Sequence, residues 1–303
     1  MQMSDNEIEE KYGDLSRIDS EQIRIMHDDR AKRLLSHKGI LAKILHETVH
    51  EFKNIPVDVI KNQCIDTPIV SKESRENGDY SKGRNIESNI LGEGKVFYDI
   101  LFDAYLPPEY DINEKYKVII NLEAQNDNPS QYDLSTRGVY YCARMISGQK
   151  GKEFKKSDYN SIKKVYSIWI CMKPPKDKRN TIEQFGMIQK NDLKKAYTDP
   201  KFYDKLEVIK LNLSNNSDSA EDGIIRSFDR LLSGINKDEK IKVLKEEFEL
   251  TESEIEEEVD DMCNLSEYYY EKGEEQGIAT GTIDAIRKNA KRIISCSDHE
   301  HGV

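Results

Sequence analysis

The chain has no run of 18 apolar residues, which argues against a membrane-spanning helix. A secretory leader is not expected either. The first residues, Met1-Gln2-Met3-Ser4-Asp5-Asn6-Glu7, are polar and acidic and hold no hydrophobic core. Paired cysteines are also missing. The five cysteines (Cys64, Cys142, Cys171, Cys263, Cys296) are scattered, odd in number and never spaced Cys-x-x-Cys. That pattern argues against a disulfide framework and a zinc ribbon, and it fits a reducing, cytoplasmic setting. Neither a glycine-rich nucleotide loop nor a Ser-His-Asp arrangement stands out. The single tryptophan, Trp169, sits in an apolar run and reads as core.

Charge is abundant, at 34% of residues with a net −11, but it is unevenly distributed. From Arg137 to Arg179 twelve basic side chains face only three acids, a net charge of +9. From Glu246 to Gln276 fourteen acids face one base, a net charge of −13. A basic block inside an acidic chain reads as a phosphate-facing surface or as a solvated face balanced elsewhere.

The densest chemical signal lies between Lys95 and Gln125. Two β-rich runs, 95–106 and 116–125, flank a polar break that starts at Pro107-Pro108. This predicts an antiparallel hairpin. Alternation puts Asp99, Leu101 and Asp103 on one face of the first strand, and Glu123 and Gln125 on one face of the second. Pairing Asp99 with Glu123 centres the turn inside the polar break; Asp103 is the rival on the same face. Two carboxylates side by side on a sheet repel. A divalent cation is the usual way to offset that repulsion.

Around the hairpin, helical spacing appears over 15–53, with Ile40, Leu41, Ile44, Leu45, Val49 and Phe52 apolar. Residues 66–94 read as a loop with a short strand near Ile86. A helix is expected over 131–148, a buried strand over Val165–Met172 and another strand over 205–213. Helices are expected over 220–233, 237–249 and 251–272, the last opening with a Thr251/Glu254 capping box. The expected fold is therefore α/β (α+β), a mixed sheet flanked by helices with a C-terminal helical region. The expected organisation is a polar segment 1–24, a core domain 25–215 and a helical region 216–303. The Glu/Gly-rich stretch 271–277 reads as a frayed helix, a self-association segment or a disordered tail.

A competing motif is His46-Glu47-Thr48-Val49-His50, which matches His-Glu-x-x-His. On a continuous helix both imidazoles would share a face and could hold Zn²⁺, with Glu47 as base. Glu73 or Glu76 would be the third ligand. No Gly-x-x-His follows, so the metzincin form is excluded. The bland alternative is a polar helix end.

One resemblance ties these segments together. Asp99-Ile-Leu-Phe-Asp103-Ala, Glu123-Ala-Gln125 and Thr136-Arg137-Gly138-Val139-Tyr140-Tyr141-Cys142-Ala143-Arg144 resemble the PD-(D/E)XK nuclease superfamily. Within it they are similar to the bacterial recombination-promoting nuclease and putative transposase family. The strand 165–172 before Pro174-Pro175 and the segment 262–267 extend the likeness over roughly 25–280. The resemblance implies a restriction-endonuclease-like core and Mg²⁺-dependent DNA cleavage, with Mn²⁺ as a substitute ion. Asp99 and Glu123 would ligate the metal, with Asp103 and Glu47 as weaker candidates. Gln125 stands where a lysine is usual and would orient water or touch phosphate. Apart from the resemblance, Arg137 and Arg144 lie seven residues apart, two helical turns, on one face, and read either as a phosphate clamp or as partners for acidic side chains; with Lys150 and Lys152 of the basic block they are the candidate DNA phosphate contacts. Homo-oligomerisation would run through the C-terminal helices. A zinc metalloprotease and a non-catalytic DNA-binding or interaction relative are the alternatives.

Overall fold

The computed structural model describes residues 32–70, 87–90, 94–110, 116–125, 129–190, 193–194, 196–214, 223–232 and 237–255. The chain divides into two compact units, Met1–Thr251 and Glu252–Val303. Of the second, residues 252–255 are described, and they are helical. The expected helical stretch 15–31, the Glu/Gly-rich segment 271–277 and the oligomerisation assigned to it lie outside the described residues.

The first unit is built on a mixed six-stranded sheet. Its strands are β1 (Ile69–Val70), β4 (Ile100–Tyr105), β5 (Lys117–Gln125), β6 (Lys164–Cys171), β7 (Thr181–Gly186) and β8 (Leu206–Asn212), in the spatial order β1-β4-β5-β6-β8-β7. A separate antiparallel ribbon joins β2 (Glu87–Ile90) to β3 (Gly94–Phe97). Among the described residues, the helices of eight or more residues are α1 (Lys38–Thr48), α2 (Leu134–Ser147), α3 (Gly223–Leu231) and α4 (Lys237–Glu247). This is the expected α+β, restriction-endonuclease-like architecture.

β6 shows why the sheet forms where it does. Its residues Lys-Val-Tyr-Ser-Ile-Trp-Ile-Cys are buried at every position. It pairs in parallel with β5 on one side and β8 on the other. A strand covered on both faces needs mostly apolar side chains on both, which explains the near-continuous apolar run, broken only at Ser167 after Lys164. The parallel step from β5 to β6 needs a crossover, and α2 supplies it. Asp133 caps α2 by accepting from the Ser135 N–H at 2.8 Å. Leu134, Gly138, Tyr141, Cys142 and Met145 form its buried stripe, spaced by three and four residues. That stripe packs on Ile119, Val165, Trp169 and Val208, the sheet face that also carries Glu123.

The hairpin has the expected register. Ile100 faces Leu122 and Asp103 faces Ile119, so continuing the ladder by one residue sets Asp99 opposite Glu123. The run 95–106, however, is not one strand. It breaks at Tyr98–Asp99, and Gly94–Phe97 pairs with Glu87–Ile90 in the other ribbon. In the tract 66–94, read as a loop with a short strand near Ile86, that strand is found as β2, and β1 is an addition not expected from sequence. The edge strand β7 was not expected from sequence. Its residues Thr-Ile-Glu-Gln-Phe-Gly are all exposed or half-buried, so no apolar run marks it.

Candidate active site

The break at Tyr98–Asp99 is what builds the site. Tyr98 turns into the core, where its ring meets that of Tyr141 edge-on at 5.5 Å. Asp99 is then left at the mouth of β4 beside the end of β5. The two carboxylates lock onto each other's backbone. The Asp99 N–H donates to Glu123 Oε1 at 3.0 Å, and the Ala124 N–H donates to Asp99 Oδ2 at 3.2 Å. The Asp99 register is therefore the one that brings two acids together.

Their surroundings differ. Glu123 is 4% exposed, and Asp99 is half-buried. Burial, and then the negative charge of Asp99, push the Glu123 carboxyl up to about 8. The Asp99 backbone N–H, the Arg137 guanidinium and Asn121 oppose that shift. Asp99 has a cation directly on it: Lys32 Nζ lies 3.0 Å from Asp99 Oδ1. Arg137 projects from α2 over the rings of Tyr141 (5.0 Å) and Trp169 (5.1 Å), and its Nη2 donates to the Tyr141 hydroxyl at 2.6 Å. Trp169 is the β6 partner of Glu123, so this stack delivers the guanidinium to the Glu123 side of the site. Gln125 ends β5 half-buried. It borders a cleft of about 300 Å³ that Lys173, Lys178 and Lys210 also line.

The other nominated residues do not converge here. Asp103 points along the same face but is four residues away and paired with Lys117 at 2.8 Å. Glu47 pairs with Lys43 at 2.7 Å on α1. The C-terminal end of α1 reaches the other face of the sheet, where Gln184 Nε2 donates to the Thr48 carbonyl. Arg144 is buried two turns beyond Arg137 and donates to the Tyr140 hydroxyl at 3.0 Å. Lys150 and Lys152 are exposed in the turn after α2. Gln149 ties that turn to Lys163, before β6, where the ladder pairs Lys164 with Val118. Val118 is five residues before Glu123, so these lysines lie at the far end of β5, roughly 17 Å away along the strand.

The zinc reading fails on backbone geometry. α1 stops at Thr48, Val49 is extended (φ −99°, ψ 117°) and His50 begins a separate 3₁₀ turn. The two histidines therefore do not share a helical face. His46 Nδ1 instead bonds the Ile55 carbonyl at 3.0 Å. Among the described residues no group of three or more His, Cys, Asp or Glu side chains could hold a metal ion. A closed zinc site needs such a set, but magnesium does not. It binds through one or two carboxylates and keeps waters or substrate oxygens as its remaining ligands, and that is the donor set Asp99 and Glu123 provide.

The sequence gives no sign that Lys32 meets Asp99, nor that Lys173, Lys178 and Lys210 line a common cleft. Lys32 is 67 positions from Asp99, and no local pattern signals their meeting. Lys173 and Lys178 were counted in the basic block but not singled out.

Among the described residues no helix is long and apolar enough to cross a membrane. No curated protein and no solved structure matches the chain. A family match does exist: residues 109–278, more than half of the length, match the family described as PD-(D/E)XK nuclease family transposase. Glu123, Gln125 and Arg137 fall inside the matched span, and Asp99 lies ten residues before it. The chain belongs to the PD-(D/E)XK nuclease family transposases.

Proposed function

We propose that this protein is a metal-dependent DNA endonuclease whose divalent cation, Mg²⁺ or Mn²⁺, is shared by Asp99 and Glu123. The observation that carries this reading is the reciprocal tie between the two acids, each bonded to the other strand's backbone. A buried glutamate beside a second carboxylate resists losing its proton, and a divalent cation reverses that preference. The bound ion would supply Lewis-acid polarisation of the phosphate and an activated water.

The chain's own groups do the rest. Asp99 and Glu123 hold the cation at the end of β5. Gln125, on the same strand face as Glu123, orients a water or a phosphate oxygen by hydrogen bonding. Arg137, held rigid by Tyr141 and Trp169, offers a positive charge to the scissile phosphate, where charge accumulates in the transition state. Lys173 and Lys178 extend that positive surface along the cleft beside Gln125. Contacts of this kind read the DNA backbone rather than its bases, so recognition depends on salt more than on sequence. We read the cleavage as serving recombination or transposition, on the strength of the family description.

Supercoiled plasmid with Mg²⁺ or Mn²⁺ tests this reading. The wild-type protein should nick it, and Asp99→Ala and Glu123→Ala should each lower the rate by about a hundredfold or more. Nicking that persists in both variants contradicts the reading. DNA binding without nicking by the wild type identifies a non-catalytic relative instead.

A further inference from the structure

Lys32 is a buried ammonium, 6% exposed, set on one of the two carboxylates that the proposed metal would bridge. A lysine so placed is costly to bury unless it is paired, and Asp99 Oδ1 is a partner at 3.0 Å. The arrangement is lopsided. Asp99 Oδ2 is taken by the Ala124 N–H, and Glu123 Oε1 by the Asp99 N–H. Lys32 thus holds the oxygen of Asp99 other than the one bonded to the Ala124 N–H. A divalent ion approaching Asp99 meets a positive charge already seated there.

We propose that Lys32 is a built-in competitor for the metal: its ammonium neutralises Asp99 until the cation arrives, is displaced from Oδ1 by it, and then bonds an oxygen of the scissile phosphate. This rests on the reading of Asp99 and Glu123 as the cation site. Two effects of opposite sign follow. The ammonium weakens metal uptake, because two cations contend for one carboxylate. The same ammonium speeds cleavage, because once displaced it stands beside the phosphate that the metal has brought in. A residue that only props up the fold would not separate these effects, since its loss would weaken metal binding and activity together.

The experiment measures Mn²⁺ affinity by titration calorimetry and plasmid nicking, on the full chain carrying Lys32→Gln, Lys32→Met or Lys32→Arg. Gln keeps a polar group against Asp99, Met keeps the stem without charge, and Arg keeps the charge. Lys32→Gln and Lys32→Met should bind Mn²⁺ about tenfold more tightly than wild type. Both should also nick at least about tenfold more slowly. Lys32→Arg should stay near wild type in affinity. An unchanged or weaker Mn²⁺ affinity in the uncharged variants overturns the proposal, and so does unimpaired nicking. A second measurement needs no variant to fold. In the wild-type protein, the Lys32 ammonium NMR signal should shift when Mg²⁺ is added, and a signal that stays put overturns the proposal. If wild-type protein takes up no ion through Asp99 and Glu123, the cation site itself is refuted. If it does take up an ion and the Lys32 measurements show no change, only the competitor role is refuted.

Discussion

At the scale of single residues, Glu123 carries the clearest consequence. Its folded proton affinity is raised, first by burial and then by Asp99. Between the ordinary carboxylate range and about 8 the folded protein therefore binds more protons than the unfolded chain. Stability of the metal-free protein should fall as pH rises across that window. The isosteric Glu123→Gln should flatten the slope, and thermal melts at a series of pH values in chelator would show it. A melting temperature that rises with pH over the same window contradicts the burial argument. The residue scale is also where sequence was most uneven as a guide. Asp99 and Glu123 could be paired because hairpin register follows from alternation and turn position. Arg137 and Arg144 could not be told apart, because a spacing of two helical turns gives a shared face but not depth. Arg144 is sealed against Tyr140, whereas Arg137 is held over Trp169 beside Glu123.

Among the elements, α2 and its contact with the sheet set the precision of the site. A Cβ on Gly138 would come within 2.5 Å of Val208 Cγ1 and 3.1 Å of Trp169 Nε1. The helix therefore approaches the sheet closely at the residue next to Arg137. Gly138→Ala should destabilise the protein by about 1–3 kcal/mol through overpacking, despite the better helix propensity of alanine. Urea unfolding would read that loss, and an unchanged or raised midpoint would mean that the contact is looser than described. The buried elements were legible in the sequence for one physical reason: β6 and the α2 stripe write their burial as apolar period. Elements without that imprint were not. β7 sits at the sheet edge with exposed side chains. The short strand expected near Ile86 is found as β2, but its pairing with Gly94–Phe97 in a separate ribbon left no mark in the apolar pattern. The His46–His50 motif stayed open to two readings, zinc ligands or a polar helix end, for a related reason. Spacing alone cannot say where a helix ends, and here it ends at Thr48.

For the whole molecule, an acidic chain of net charge −11 nevertheless lines the cleft beside Gln125 with Lys173, Lys178 and Lys210. The basic block was visible as a count, but its members separate in space. Arg137, Lys173 and Lys178 gather around the Glu123–Gln125 end of β5. Lys164 is drawn instead into a buried cluster with Glu51, Asp204 and Glu207. The proposed cation site and its basic flank thus share one end of the sheet, an arrangement that suits the phosphodiester substrate proposed above. The proposed function requires a divalent ion bound between Asp99 and Glu123. The direct measurement is anomalous diffraction from crystals soaked in Mn²⁺. It should give a peak within about 2.5 Å of a carboxylate oxygen of each residue. No peak between them, or a peak elsewhere that survives Glu123→Ala, would contradict it.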